Sequence, residues 1–195
     1  MSSAVIQTIV SRRSIRRFQP KQLSDSDLEE IIMAGRYAPS GGNRQSTTFI
    51  VIQNPEVLDE LAKLVESRFA QMTADENTYC SLRTSIKLSQ KGGYVFHHHA
   101  PTLIITANKR GYGNAAADCA VAIENMLLAA SSMDIGSCWI NQLTWLTDDP
   151  PVRAYLQRIG LGSDEIICGA AAFGFPDQKL AVAPERTGNP VIYIK

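Results

Sequence analysis

The stretch GYGNAAADCAVAIENMLLAASSMDIGSCWI, residues 111–140, admits two folds until its middle is read. It opens on G-x-G-x-x-A at 111–116, after the strand-like run APTLIITA (100–107) and before a helix, which is the outline of a dinucleotide-binding turn. The ribose-binding acid expected about 20 residues on would be Asp134. But Asp134 precedes the next strand, DIGSCWI, whereas that acid should end it, and the βαβ repeats that should flank a mid-chain fingerprint are missing. Gly111 and Gly113 are therefore read as loop glycines. What remains is NAAADCAVAIENMLLAASSM (114–133), apolar nearly all round and so a central, buried helix. One α+β domain covering residues 1–195 is the fold class this implies.

Working outward, residues 4–13 place Val5, Ile6, Ile9 and Val10 at helical spacing. LSDSDLEEIIMAGRYA reads as a helix capped by Ser24 with Asp27. PSGGNRQ (39–45) is a loop, TTFIVIQ (47–53) a strand, and PEVLDELAKLVESRF a helix opened by Pro55. Residues 71–95 are polar and lack clean periodicity, so they read as an excursion or lid rather than core. DDPPVRAYLQRIG reads as a short helix and EIICGAAAFGFP as a buried strand. The tail, 176–195, is irregular and then closes on the β-type run VIYIK, which needs a sheet edge on its own chain or a partner's.

The 195 residues are 45% hydrophobic and 19% charged, an ordinary globular composition that builds a core without disulfides or metals. Nineteen basic residues balance nineteen acidic ones, so nothing global favours nucleic acid. No apolar run has the length of a membrane span. In MSSAVIQTIVSRR the basic residues follow the apolar ones, unlike a secretory signal. Cys80, Cys119, Cys138 and Cys168 lie far apart with no C-x-x-C, which reads as reduced thiols in a cytoplasmic protein.

Three constellations carry chemistry. SRRSIRRF (11–18) crowds Arg12, Arg13, Arg16 and Arg17 around Ser14 in a chain of zero net charge. Arginine grips phosphate through two parallel hydrogen bonds, so Arg12, Arg13, Ser14 and Arg16 form a candidate phosphate grip, with Arg17 read as solvated. In APSGGNRQ, glycines let backbone approach a flat ligand, and Ser40, Asn43 and Gln45 can read ring carbonyls and N–H groups. All three histidines sit at 97–99. In an extended chain His98 would face away from its neighbours, so metal ligation is geometrically poor. They read as partly exposed residues leading into a strand, with a substrate-facing role open to one of them.

Together RRSIRRF (12–18), YAPSGGNRQ (37–45), ENMLLAASSMDIGSCWI (124–140) and GFP with PER ending at Arg186 resemble the nitroreductase-like family of FMN-dependent oxidoreductases. The pieces stand in the family's order and spacing and span nearly the whole chain. The resemblance implies an α/β/α sandwich with a mainly antiparallel central sheet. It implies an intertwined homodimer, FMN at the interface, and electron transfer from NADH or NADPH to a small acceptor such as a nitroaromatic or quinone.

It further implies that Arg12, Arg13 and Ser14 surround the FMN phosphate and ribityl chain. Arg16 lies near the pyrimidine edge as an electrostatic stabiliser of the reduced ring. Pro39, Ser40 and Asn43 would come from the other subunit, and Gly41 and Gln45 of the same loop would also bind the cofactor. Cys138, Trp139 and Ile140 would run beside the ring, and Arg186 would return from the tail to the phosphate. The chain departs from the family in two places. The nearest candidate for a second basic residue ahead of Arg186 is Lys179, and the 71–95 region lacks the long helical excursion of larger relatives. No metal, nucleic acid or membrane partner is expected, and no side-chain acid or base is required. A flavin-binding or flavin-modifying protein without NAD(P)H turnover is the alternative.

Overall fold

A four-stranded sheet with helices on both faces organises the computed structural model, which describes residues 3–178 and 182–195; Lys179 lies outside them. The strands are β1 (Thr48–Ile52), β2 (Thr102–Lys109), β3 (Gly136–Ile140) and β4 (Glu165–Gly174), in the order β1-β2-β4-β3, and every neighbouring pair is antiparallel. A dinucleotide-binding βαβ unit needs parallel strands, so the glycines at 111–113 are indeed loop residues. The helices are α1 (Ala4–Ser11), α2 (Asp25–Arg36), α3 (Pro55–Ala70), α4 (Cys80–Lys91), α5 (Ala115–Ser132), α6 (Gln142–Trp145) and α7 (Pro150–Arg158).

Alternation along the strands builds two cores. Leu103, Ile105, Ala170 and Ala172 face α3 and α7, where Leu61, Val65 and Leu156 meet them. Ile104, Ala171 and Phe173 face α2 and α5, against Ile31, Ile123 and Met126. The α/β/α sandwich and the central burial of α5 thus follow the sequence reading. Local signals hold as well: the Ser24 hydroxyl accepts from the Asp27 N–H, and Asn54 caps α3 ahead of Pro55.

Three readings are corrected, and that of VIYIK is narrowed to a partner's sheet edge. Residues 71–95 contain a formed helix, α4, whose Ile86 enters the α3-side core. Its buried face is otherwise Ser85 and Ser89, and small polar residues hide the apolar period. The four-residue helix α6 lies between β3 and α7, where no element was expected. VIYIK pairs with no strand of its own chain among the described residues, and Val191, Ile192, Tyr193 and Ile194 are exposed. The histidines occupy a turn in which His98 (φ 58°) and His99 (φ 56°) are left-handed, and His97 is buried rather than partly exposed.

His97 is 3% exposed, and neither ring nitrogen has a hydrogen-bond partner among the described residues. Burial first, then the charge of His99, pulls its pKa down to about 4 from 6.5. Between those values the unfolded chain binds a proton that the folded one refuses. Stability is therefore complete above about pH 6.5 and falls as pH drops toward 4, by up to about 3 kcal/mol. Urea midpoints measured across this range should show the wild type losing stability relative to His97→Leu as the pH is lowered. A constant gap would remove His97 as the source.

Candidate functional site

The arginines do not share a helix face. Helix α1 ends at Ser11, and Arg12 already has extended dihedrals (φ −53°, ψ 137°). From there the chain runs beside β3: the Ile15 N–H donates to the Ser137 carbonyl at 2.8 Å, and Ser14 pairs with Ser137. Ile15 is buried against Gly136, where a Cβ would lie 3.0 Å from its side chain. Alternation then places Arg12, Ser14 and Arg16 on the opposite side from Ile15. The Cys138 thiol reports the same arrangement. Burial raises its pKa, and the charges of Arg16 and Arg12 offset part of that rise. Glu124 of α5 holds the Arg12 guanidinium at 3.5 Å. Arg13 is turned back toward α1, donating to the carbonyls of Val10 (3.0 Å) and Arg12.

Arg16, Trp139 and His98 open onto a cavity of about 370 Å³ beneath α4. One wall is a connected polar network. The Trp139 indole N–H donates to Asn141 Oδ1 at 3.1 Å, and the Asn141 N–H donates to Gln142 Oε1 at 3.1 Å. The Gln142 amide donates to the Tyr94 hydroxyl at 2.8 Å, which bonds Ser85 at 2.9 Å. The other wall is aromatic, with Tyr79 and Trp145 edge to face at 6.1 Å. Burial and the neighbouring Arg16 lower the His98 pKa, so its imidazole is neutral near pH 7.

The 39–45 loop forms a second half-site. Gly41, Gly42 and Asn43 make a single 3-10 turn, with Gly42, Asn43 and Gln45 all at positive φ. The Ser40 hydroxyl accepts from the Gln45 N–H at 3.0 Å, and the Gln45 amide donates to Asn43 Oδ1 at 3.1 Å. Asp118 anchors the turn from α5, accepting from the Gly41 N–H at 3.1 and 3.3 Å and from the Tyr112 hydroxyl at 3.0 Å. Gly41 must lack a side chain, because a Cβ would overlap Asn114 and Tyr112. Pro39, Ser40, Gln45 and Asp118 line a cavity of about 160 Å³.

The structure therefore gathers Arg12, Ser14, Arg16, Cys138 and Trp139 in one place and Pro39, Ser40, Gly41, Asn43 and Gln45 in another. Ile140 is buried in the α3-side core and Arg186 is exposed in the tail. Sequence reading missed Asp118, Glu124, Tyr112, Tyr94, Asn141 and Gln142. Two of these carried a signal: Asp118 and Glu124 are the carboxylates of an otherwise apolar helix. The donor set fits FMN. Arg12 and Ser14 offer a cation and a hydroxyl to a phosphate ester, and Arg16 offers a second cation to the ring. The buried Ser137 hydroxyl beside Ser14 has no partner among the described residues. No group of three or more His, Cys, Asp or Glu among them is placed to hold a metal.

Residues 9–175 match the model of the Nitroreductase family. A nitroreductase with bound FMN from Bacteroides fragilis is 37% identical, with a TM-score of 0.88 over 99% of this chain and 100% of that one. A second FMN-bound nitroreductase, from Desulfitobacterium hafniense, shares the fold with a TM-score of 0.86 at 22% identity, each chain covered fully. The NADPH-flavin oxidoreductase of Vibrio harveyi is 24% identical over 96% of this chain and 72% of its own.

Asp118→Ala should leave the Gly41 N–H and the Tyr112 hydroxyl without their charged acceptor. Hydrogen bonds to a charged group contribute roughly 1.5–3 kcal/mol, so chemical denaturation should show a loss of that order. Asp118→Asn should recover part of it, and an unchanged midpoint for Asp118→Ala would deny the anchor.

Proposed function

The chain belongs to the nitroreductase family, and on that premise we propose how its residues serve an FMN-dependent oxidation of NAD(P)H. Arg12 and Ser14 bind the phosphate and ribityl chain, and Arg13 joins them on leaving the Val10 and Arg12 carbonyls. Arg16 stands at the pyrimidine edge, where its fixed cation favours negative charge on the reduced ring. Bound FMN supplies the hydride and electron chemistry. The main chain of 138–140 and the Trp139 side chain pack beside the ring, and a nitroaromatic or quinone acceptor occupies the cavity under α4. The observation that carries this reading is the Ile15–Ser137 hydrogen bond, which fixes the arginine segment against β3 and so sets Arg16 beside Trp139.

The enzyme works as a cytoplasmic homodimer in this proposal. Val5, Ile6, Ile9 and Val10 of α1 are all exposed, as are Val121 of α5, Met33 of α2 and Tyr37 just after it. A second copy covering them would bring its Pro39, Ser40, Gly41, Asn43 and Gln45 to the first copy's arginines. The tail, 176–195, exposed along 184–195, would then wrap the partner and carry Arg186 to the phosphate. No helix among the described residues is long and apolar enough to cross a membrane.

Heat-released cofactor should be FMN and not FAD, and initial rates should give parallel double-reciprocal lines, because donor and acceptor use one cavity in turn. Intersecting lines would refute the shared cavity.

Deleting residues 184–195 should weaken both dimerisation and FMN binding, whereas Arg186→Ala should weaken mainly the latter. An arginine contact to a charged group implies a loss of about one to two orders of magnitude in affinity. Light scattering and FMN titration read the two effects, and a truncated protein that stays a tight FMN-bound dimer would show that the tail has neither role.

A further inference from the structure

Ile167 and Ala170 of β4 pack in the same core although they are three residues apart, where strict alternation would put them on opposite faces. The register gives the reason. Thr106 lies opposite Gly169 and Ala107 opposite Ile167, so Cys168 is the extra residue of a β-bulge. Both residues between Ile167 and Ala170 therefore turn toward α5. At Gly169 the approach is so close that a Cβ would sit 2.7 Å from Ile123. At Cys168 the thiol, which donates to the Ile166 carbonyl at 3.7 Å, is turned toward Cys119, which is wholly buried on α5.

The surroundings of Cys119 are polar. Its thiol donates to the Thr47 hydroxyl at 3.8 Å, and Thr106 and Asn108 lie beside it. The Cys168 thiol and these neighbours hold the Cys119 pKa below its ordinary value, while Cys168 keeps its proton. Thr47, which the Cys119 thiol touches, lines the cavity of about 160 Å³ behind the 39–45 loop, and Cys168 is partly exposed.

We propose that Cys119 and Cys168 form a redox-modifiable pair, which hydrogen peroxide converts to a disulfide that staples α5 to β4. The Cys119 thiolate attacks one peroxide oxygen; an S–O bond forms, the O–O bond breaks, and hydroxide leaves. Cys168 then attacks the resulting sulfenic sulfur, losing its proton; the S–S bond forms and water leaves. Two thiols are oxidised and one peroxide becomes two waters. Asp118, the immediate neighbour of Cys119, carries the Gly41 turn, so the staple fixes the helix turn from which that half-site hangs.

The FMN-loaded enzyme, in a Cys80→Ser background that removes the exposed thiol, is treated with hydrogen peroxide and mapped by mass spectrometry. The expected product has lost the mass of two hydrogens, contains one peptide joining Cys119 to Cys168, and reverts with dithiothreitol. In Cys168→Ser the reaction should stop at a sulfenic acid on Cys119 that dimedone traps. Unmodified thiols, a sulfinic acid on Cys119 in the two-cysteine protein, or a covalent dimer would each overturn the proposal. If the serine variant fails to fold, the cross-linked peptide of the parent protein decides alone.

Discussion

Two carboxylates on one apolar helix hold the molecule's functional surface together. Helix α5 is buried along Ala115, Cys119, Ala122, Ile123, Met126 and Ala130, and a chain segment so apolar has no stable place except the centre. Yet Asp118 and Glu124 interrupt it. Asp118 is itself buried and takes the Gly41 N–H and the Tyr112 hydroxyl, while Glu124 meets Arg12. One helix thus fixes the glycine loop at one end and the arginine segment further along. The position of each half-site is inherited from the best-packed element in the fold.

That inheritance requires α5 to lie close to its neighbours. Gly169 and the run Ala170–Ala171–Ala172 leave the middle of β4 nearly flat, and the bulge at Cys168 lets Gly169 face the helix where a larger residue would push it away. Gly35 does the same for α2, since a Cβ there would sit 2.9 Å from Met126. Bulk is supplied instead by Ile104, Phe173 and Met126 around these flat spots. The sheet ends at β3, an edge strand, and the arginine segment covers that edge through the Ile15–Ser137 bond. An edge that would otherwise be a liability becomes the floor of the site.

Much of this was legible because it is local or periodic. The Ser24 and Asn54 caps, the β-branched strands and the all-round apolar helix each declare themselves within a few residues. The resemblance supplied the grouping of the arginines with SCWI, which no periodicity could show. What escaped depends on long-range pairing. Helix α4 was unreadable because its buried face is carried by Ser85, whose hydroxyl meets Tyr94, and by the small Ser89, and not by hydrophobic residues. The bulge at Cys168 exists only in register with β2. VIYIK looks like a strand because its side chains prefer one, but an edge to pair with is not a property of the segment.

Backbone strain follows the same division. The non-glycine residues at positive φ among those described are Asn43, Gln45, His98, His99 and Asp134, and such a conformation costs of order 1–3 kcal/mol each. Asn43 and Gln45 sit in the glycine loop and His98 lines the Arg16 cavity, so three of the five lie at the two half-sites. Each is held by directed bonds: Gln45 by the Ser40 hydroxyl, Asn43 by the Ser40 carbonyl, and His98 by the Val95 carbonyl at 3.0 Å. Relaxing any of them would swing a polar side chain out of its cavity. The strain is therefore tolerated because two well-packed cores anchor the ends of each turn, and the half-sites stay preorganised as a result.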